Sequence, residues 1–348
     1  MKSFEKKFLE NSPLTHHLLK VISSIKEYKG KQDLYRHQSP QILNSLKEIA
    51  YIQSVESSNR IEGIIAPHKR ILELVQKETK PKNRPEEEIL GYKYAINLIH
   101  QNFKHMPFNS NLVLQLHQEI YRYTPKKAGF WKTTENLIEE EQSDGSKIIR
   151  FAPLASFLVP EGMAILQREY DKHSSNQEIE QLLLIATYIF DFLCIHPFSD
   201  GNGRMSRLLS LLLLYKSGFE VGRYISIEKI IEDTKEGYYE SLRSSSERWH
   251  EGKHNLLPWW EYFCFTILEA YKQFENRLSV VEASKGVKSA GVLAFIRQSY
   301  AEFSIHEIQE ACPTVGIDMI RKILRQEKEE NRIECLGRGP YAKWKRII

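Results

Sequence analysis

The chain of 348 residues has a composition typical of a soluble globular protein, with 41% hydrophobic and 27% charged residues. Its four cysteines are far apart and Met1 to Ser12 is polar and charged, which argues against a disulfide framework, a zinc site and a signal peptide. We expect a cytoplasmic protein. The most apolar stretch, residues 182–195, is short and contains Asp191, so it predicts a buried helix and no membrane contact.

Hydrophobic periodicity predicts a mainly helical fold. Pro81 and Pro85 bracket a charged linker, and Asn109 or Ser110 can cap the helix that follows. The predicted helices cover residues 15–28, 40–62, 86–102, 110–123, 161–172, 178–195, 203–215, 235–250 and, from Pro258, about 258–280.

One segment between the helices has the pattern of a β-hairpin. Thr133 to Ile138 and Lys147 to Phe151 are rich in β-forming residues, and Ser143-Asp144-Gly145 between them is a turn signal. From its sequence alone, the hairpin is equally well explained as a functional element and as a surface hairpin with no role.

The C-terminal segment, residues 285–348, is predicted to form a unit of its own. Three helices at 289–299, 304–311 and 316–330 precede two short strands that flank Gly337-Arg338-Gly339-Pro340, a pattern like a winged helix-turn-helix. The segment holds 12 Lys and Arg and 8 Asp and Glu, so the whole net charge of +4 lies there. This small excess is a weak indication of an acidic partner such as DNA.

The loop from His196 to Arg207 carries the chemistry. It reads His196-Pro197-Phe198-Ser199-Asp200-Gly201-Asn202-Gly203-Arg204-Met205-Ser206-Arg207. Pro197 disfavours helix before it, and the helix predicted to start at Gly203 directs free N–H groups into the loop, which makes an anion site. Arg204 and Arg207 add cations suited to phosphate oxygens.

Two further residues complete a phosphate-handling site. The Asp200 carboxylate would be repelled by phosphates unless a cation lies between them, and Mg²⁺ is the natural bridge. His196, at the edge of this pocket, can accept a proton at neutral pH. Phe198 is expected to anchor the loop in the core.

The loop also resembles the signature of the Fic domain, H-x-F-x-[D/E]-G-N-G-R-x-x-R, at every fixed position. The resemblance covers roughly residues 110–250 and implies transfer of AMP from ATP to a protein hydroxyl. It implies that His196 deprotonates the hydroxyl, that Asp200 binds Mg²⁺ and that Arg207 holds the γ-phosphate. The remaining phosphate contacts would come from Gly201, Asn202, Gly203, Arg204, Met205 and Ser206.

Other segments acquire roles from the same resemblance. Gly203 favours AMP transfer, because the related Doc kinases carry Lys there. The hairpin corresponds to a flap that pairs with the target backbone, with Leu137, Ile138, Ile149 and Phe151 as its docking residues. Tyr238 and Tyr239 resemble the tyrosines of the adenine pocket, although two adjacent tyrosines alone would indicate core packing. Ser246 stands where some relatives have Asn.

A second short motif precedes the predicted catalytic core. Gly63 is expected to end a helix and to leave Glu62 in its last turn, where an anion needs an outside cation; Ser58, one turn back, can help hold it. Ser58, Glu62 and Gly63 also fit the inhibitory motif [S/T]-x-x-x-E-[G/N] of Fic proteins. The resemblance implies that Glu62 pairs with Arg207 and keeps ATP in an unproductive pose.

These observations predict three parts: a helical extension at 1–105 with the inhibitory motif at 58–63, a Fic core with trailing helices at 106–284, and the winged helix-turn-helix-like unit at 285–348. The predicted function is autoinhibited adenylylation of a target protein, or of the chain itself, at Tyr, Thr or Ser. One alternative is a DNA-binding regulator, in which the C-terminal unit binds DNA and the Fic domain is vestigial or regulatory; the unit can equally serve dimerisation or target docking. The other is transfer of another nucleotide, or removal of AMP, at the same site.

Overall fold

The computed structural model describes residues 2–4, 6–38, 40–77, 79–141, 147–282, 287–299, 302–313, 315–337, 339 and 342–347. Within these residues the chain forms fifteen α-helices and five β-strands, so the predicted mainly helical fold is confirmed. The predicted hairpin turn at 143–145, the boundary near 284 and Arg338 of the C-terminal turn lie outside the described residues.

The helices, in chain order, are α1 Lys6–Asn11, α2 His16–Gln38, α3 Pro40–Ile61, α4 His68–Gln76, α5 Arg84–Asn102, α6 Ser110–Ile120, α7 Val159–Asn176, α8 Gln181–Ile195, α9 Asn202–Lys216, α10 Ile227–Asp233, α11 Lys235–Ser246, α12 Leu257–Glu282, α13 Val287–Gln298, α14 Ile305–Ala311 and α15 Ile317–Glu329. The strands are β1 Ile138–Glu141, β2 Lys147–Phe151, β3 Phe303–Ser304, β4 Ile333–Cys335 and β5 Lys343–Arg346.

Helix starts follow local chemistry. The Asn109 side chain accepts from the Leu112 N–H and caps α6, as predicted. Asn83 caps α5 in the same way, which places Pro85 in the first turn of that helix instead of at the end of a linker. The prediction missed α4, a short helix of nine residues that buries Ile71, Leu74 and Val75.

The predicted hairpin exists with one shifted strand. β2 lies where it was expected, but β1 begins only at Ile138, so Thr133 to Leu137 is not strand. The two strands pair antiparallel, with an irregularity between Ile138 and Glu139. Ahead of β1, the Lys132 N–H bonds the Pro197 carbonyl and Asn136 bonds the Phe198 carbonyl, so this segment pairs with the loop after α8 and not with β2.

The core is a single hydrophobic cluster that runs from the N-terminal helices to α12. α8 lies at its centre, with every residue from Leu182 to Ile195 buried. This helix is mostly apolar on all sides, as expected of a helix that other helices surround, and the loop that follows it is therefore attached to the buried core. None of the helices in the described part of the chain combines the length and apolarity needed to cross a membrane.

The C-terminal residues pack around a second cluster of their own. It contains buried side chains from α13, α14, α15 and the small sheet, in which the strand order is β3-β5-β4. The predicted order of three helices followed by a hairpin is thus found. Its assignment as a winged helix-turn-helix, like the three domain boundaries, stays a prediction.

Candidate active site

The loop between α8 and α9 is held in a sharp turn. His196 follows α8 with a left-handed backbone (φ 50°), and Gly201 precedes α9 with φ 83°. The Asn202 side chain clamps the turn, because its Oδ1 accepts from the Phe198 N–H at 2.9 Å and its Nδ2 donates to the Phe198 carbonyl at 2.7 Å. Phe198 is fully buried, and its ring stacks on the His117 ring with 3.7 Å between the ring centres, which confirms its role as the anchor of the loop.

The His196 ring is set up to accept a proton. Its Nδ1 donates to the Leu193 carbonyl at 3.3 Å, which leaves Nε2 with a lone pair. Burial, with the nearby Lys132 ammonium, lowers the pKa of His196 to about 4, so the ring is neutral at pH 7. A neutral imidazole fixed by one nitrogen can act as a general base through the other.

A cavity of about 480 Å³ opens beside His196. It brings together the motif loop, the hairpin, α11 and the end of α3, four segments that are far apart in the sequence. The predicted site residues among its lining are His196, Gly203, Arg207, Glu62, Tyr238, Tyr239, Ser246, Ile138 and Phe151. Its volume suits a ligand of nucleotide size.

Arg207 is paired with Glu62 inside this cavity. Its Nη2 donates to Glu62 Oε1 at 2.7 Å, and the arginine side chain is 3% exposed. Burial lowers the pKa of Arg207, but the Glu62 carboxylate more than offsets this and raises it above its ordinary value. Glu62 follows directly after α3, and Gly63 takes a positive φ of 76°, as expected of a residue that ends a helix.

Ser58 has a different partner from the one predicted. Its Oγ accepts from Arg207 Nε at 2.8 Å and its carbonyl accepts from Arg207 Nη2 at 2.8 Å, so it holds the arginine and not Glu62. One turn back along α3, Ser54 donates to the buried carboxylate of Glu228 at 2.6 Å. The end of α3 is thus attached to the site through Ser58 and Glu62, and Ser54 attaches the same helix to α10.

Asp200 presents a carboxylate with a cation already beside it. Lys126 Nζ lies 2.6 Å from Asp200 Oδ2, and the aspartate side chain is 47% exposed. Although burial raises it, the pKa of Asp200 is lowered to about 2 by Lys126, so the group is ionised.

This carboxylate fits the expected metal. No group of three or more His, Cys, Asp and Glu side chains within the described ranges could hold a metal ion. A single ionised carboxylate next to an anion site nevertheless matches Mg²⁺, which is commonly held by one or two carboxylates plus substrate phosphates. Asp200 would hold the ion only together with a nucleotide.

The structure separates the remaining motif residues from the cavity. Arg204 is 1% exposed; its Nη2 bonds the Tyr121 hydroxyl at 2.7 Å and lies 2.8 Å from Glu88 Oε2. Met205 is fully buried in the core, and the Ser206 hydroxyl donates to the Gly203 carbonyl. Of the motif residues, His196, Gly203 and Arg207 line the cavity, and six predicted ligand contacts do not: Asp200, Gly201, Asn202, Arg204, Met205 and Ser206. A phosphate contact at Arg204 or Met205 would have to use the backbone at the start of α9.

The two tyrosines differ in their exposure. Tyr238 is 4% exposed and packs against Trp259, whereas Tyr239 is 45% exposed, and both line the cavity. Ser246 also lines the cavity, but its hydroxyl donates to the Arg243 carbonyl. On the hairpin, Ile138 and Phe151 face the cavity, while Leu137 and Ile149 are 49% and 61% exposed and outside it.

A set of residues that sequence reasoning missed supports the loop from outside the cavity. The His117 ring bonds the Asp200 carbonyl at 3.0 Å and accepts from the Gly129 N–H at 3.1 Å. Lys132 donates its backbone N–H to the Pro197 carbonyl at 2.8 Å, and Asn136 donates to the Phe198 carbonyl at 3.1 Å. Apart from the bond between Gly129 and His117, these contacts join residues more than sixty positions apart, and no local pattern predicts them.

Comparison with known proteins supports the family that this loop indicates. A family model described as the Fic/DOC family matches residues 107–214. A Fido domain-containing protein of Dictyostelium discoideum is 31% identical over 107 residues, which are 30% of this chain and 71% of that protein. The chain belongs to the Fic/DOC family.

More distant similarity extends further along the chain. The protein adenylyltransferase Fic of Drosophila ananassae is 26% identical over 193 residues, which are 53% of this chain and 36% of the relative. The chain therefore matches little more than a third of the length of such curated relatives.

Solved structures share the fold. A Fic family protein from Desulfovibrio desulfuricans matches with a TM-score of 0.60 at 17% identity, over 96% of this chain and 97% of that one. Fic-1 from C. elegans matches with a TM-score of 0.60 at 18% identity, over 77% of this chain and 74% of that one. At these identities the similarity shows a common fold.

Proposed function

We propose that this protein transfers AMP from Mg-ATP to the hydroxyl of a Tyr, Thr or Ser on a target protein or on itself. The observation that carries the proposal is the cavity in which neutral His196 and Arg207 stand beside the open N-terminus of α9. Relatives named protein adenylyltransferase align with just over half of the chain at 26% identity, which supports the same assignment.

In the proposed reaction each side chain of the site has one role. His196 Nε2 takes the proton of the target hydroxyl as its oxygen attacks the α-phosphorus; the bond from that phosphorus to the bridging oxygen breaks, and pyrophosphate leaves. Free N–H groups at the start of α9 and the Arg207 guanidinium bind phosphate oxygens. Mg²⁺ held at Asp200 would neutralise phosphate charge. Tyr238 and Tyr239 are proposed to hold the adenine.

In the structure Arg207 is bound to Glu62, which supports the proposed autoinhibition. Both N–H groups of Arg207 Nη2 are engaged, one by Glu62 Oε1 and one by the Ser58 carbonyl, and removal of the Glu62 bond would free one of them for a γ-phosphate. The Glu62 carboxylate also lines the cavity and would repel that phosphate. Nucleotide binding in a productive pose thus requires Glu62 to move.

Labelled ATP tests the reaction type directly. The full chain is incubated with ATP labelled on the α- or the γ-phosphate, alone and with a cell lysate, and protein-bound label is measured. AMP transfer leaves α-label on protein and no γ-label, and His196→Ala should reduce it at least a hundredfold while nucleotide binding persists, because a general base contributes that much or more. Retention of γ-label alone would indicate a kinase instead.

The C-terminal unit keeps a second candidate function open, that of a DNA-binding regulator. Arg321, Lys322 and Arg325 are exposed along α15, the helix that a winged helix-turn-helix would direct into the major groove. Exposed Asp318 and Glu329 on the same helix reduce its attraction for phosphates. Tight, sequence-specific binding of the full chain to duplex DNA at physiological salt would put this function first.

A further inference from the structure

Lys126 holds a defined position beside the carboxylate of Asp200. Its ammonium lies 2.6 Å from Asp200 Oδ2 and 4.6 Å from the centre of the Tyr121 ring, so a carboxylate and an aromatic face bind it together. Thr124 Oγ1 accepts from the Lys126 N–H at 3.3 Å, and the Thr124 hydroxyl donates to the Tyr121 carbonyl, which anchors the backbone on the same helix end. The side chain is 31% exposed and can leave toward solvent.

The ammonium and a metal ion would compete for this carboxylate. Mg²⁺ binds carboxylate oxygen at about 2.1 Å, so an ion on Asp200 would stand within about 5 Å of the ammonium at its present distance from the same oxygen. Two positive charges this close repel each other strongly where solvent screening is incomplete. The buried Arg204 guanidinium adds positive charge that also acts on Asp200.

We infer that Lys126 is a tethered cation that takes the place of the metal at Asp200 in the nucleotide-free protein and is displaced when Mg²⁺ enters with the nucleotide. Lys126 is therefore a positioning residue that sets how much Mg²⁺ the site requires. The inference rests on the proposed function in one respect, since it takes a magnesium nucleotide as the ligand.

Two opposite consequences follow if the ammonium is removed. Without Lys126, no ammonium competes with Mg²⁺ for the Asp200 carboxylate, so Mg²⁺ should saturate the site at a lower concentration. In the absence of metal, however, the same uncovered carboxylate repels phosphates, so the nucleotide should bind more weakly. A residue with a merely structural role would weaken binding under both conditions.

The experiment measures binding and not turnover. The full chain carrying Glu62→Gly, which keeps the Glu62 carboxylate from interfering, is titrated with α,β-methylene ATP by calorimetry, in EDTA and over a series of Mg²⁺ concentrations. Lys126→Met in this background is expected to lower the half-saturating Mg²⁺ concentration about tenfold and to weaken binding in EDTA about tenfold, as the loss of one close charge pair would.

Two further variants serve as controls. Lys127→Met removes the same charge from the exposed neighbouring residue and should leave both values unchanged. Lys126→Arg keeps the cation and should preserve the Mg²⁺ requirement. An unchanged or increased Mg²⁺ requirement in Lys126→Met, or an equal effect of Lys127→Met, overturns the inference.

The result is independent of the reaction type. If the α-label test fails while Lys126→Met still shifts the Mg²⁺ requirement, the proposed function is wrong and the role of Lys126 stands. If α-label is transferred but the Mg²⁺ requirement does not change, the role of Lys126 is wrong and the proposed function stands.

Discussion

Gly203 lies where the Glu62 carboxylate meets the motif loop. A Cβ atom at this position would be 2.2 Å from Glu62 Oε1 and 3.4 Å from Arg207 Nη1. The contact between Glu62 and Arg207 therefore depends on the absence of a side chain at residue 203. One glycine thus bears on inhibition as well as on the approach of backbone N–H groups to phosphate.

Gly203→Ala is expected to weaken autoinhibition. The added methyl group meets the end of the Glu62 side chain, which must shift away from Arg207. Automodification should then rise about tenfold, which corresponds to the loss of about 1.4 kcal/mol of pairing energy between Glu62 and Arg207. The measurement is protein-bound α-label over time.

The matched control is Gly237→Ala, where the new Cβ makes only ordinary contacts with Tyr262. In a chain that already carries Glu62→Gly, the Gly203 substitution should add nothing, because both changes act through one contact. A loss of activity in both backgrounds would mean that Gly203 is needed for phosphate and not for inhibition.

At the scale of elements, α3 is held against the site by contacts along its last two turns. Ser54 bonds Glu228, Ser58 bonds Arg207, and Lys235 Nζ donates to the Ile61 carbonyl at 3.1 Å. Removal of the Glu62 carboxylate alone leaves these contacts in place. Inhibition can therefore be tested without detaching the helix.

Glu62→Gly should raise AMP transfer, because freed Arg207 can bind the γ-phosphate and align the α-phosphate with the attacking hydroxyl, an effect worth at least tenfold. Arg207→Ala should abolish the gain, since both residues act through one contact. Automodification of the single and double variants is the measurement. A general loosening of the fold would raise activity without requiring Arg207. If Glu62→Gly instead loses a measurable AMP-removing activity, Glu62 also serves catalysis.

The segments that flank the hairpin are hydrogen-bonded to the end of α8 and to the motif loop. Asn136 before β1 bonds the Phe198 carbonyl, and the Leu154 N–H after β2 bonds the Cys194 carbonyl at 3.3 Å. Both ends of the hairpin are thus attached to the segment that carries His196. A target strand added to the hairpin, as proposed, would be positioned relative to the base by these contacts.

At the scale of the whole molecule, several histidines are buried without charge. Burial lowers the pKa of His100 to about 3 and those of His117 and His254 to about 4. Between about pH 4.5 and 6.5 the unfolded chain binds protons at these positions and the native protein does not. Burial raises the pKa of Asp191 to about 6, and that of Glu228 is also raised, and these shifts act in the opposite direction.

The protein is therefore expected to lose stability as the pH falls from 6.5 to 4.5. His196 is a fourth histidine with a lowered pKa, and the four large histidine shifts outweigh the opposing raised pKa values of Asp171, Asp191, Glu228 and His68. The net slope should correspond to about one proton, or about 1.4 kcal/mol per pH unit. Urea unfolding across this range measures it. His117→Asn should reduce the slope, whereas the same change at exposed His105 should not. A slope of zero or of opposite sign would contradict the assignment of these histidines as buried and neutral.

The local pattern of the sequence determined the fold class and the chemical core of the site. The periodicity of apolar residues predicted most helices, since one face of each must be buried. The run from His196 to Arg207 indicated the phosphate site because helix start, glycines and arginines are contiguous, and the motif at residues 58–63 indicated the partner of Arg207.

Only the tertiary structure decided which atoms serve these roles. Arg204 belongs to the same motif as Arg207, yet it is bonded to Tyr121 and Glu88 in the core, while Arg207 lines the cavity. Ser58 holds the arginine, and Lys126 pairs with Asp200. These outcomes depend on contacts between segments distant in sequence, because burial and pairing of a charge are set by what packs around it and not by its neighbours along the chain.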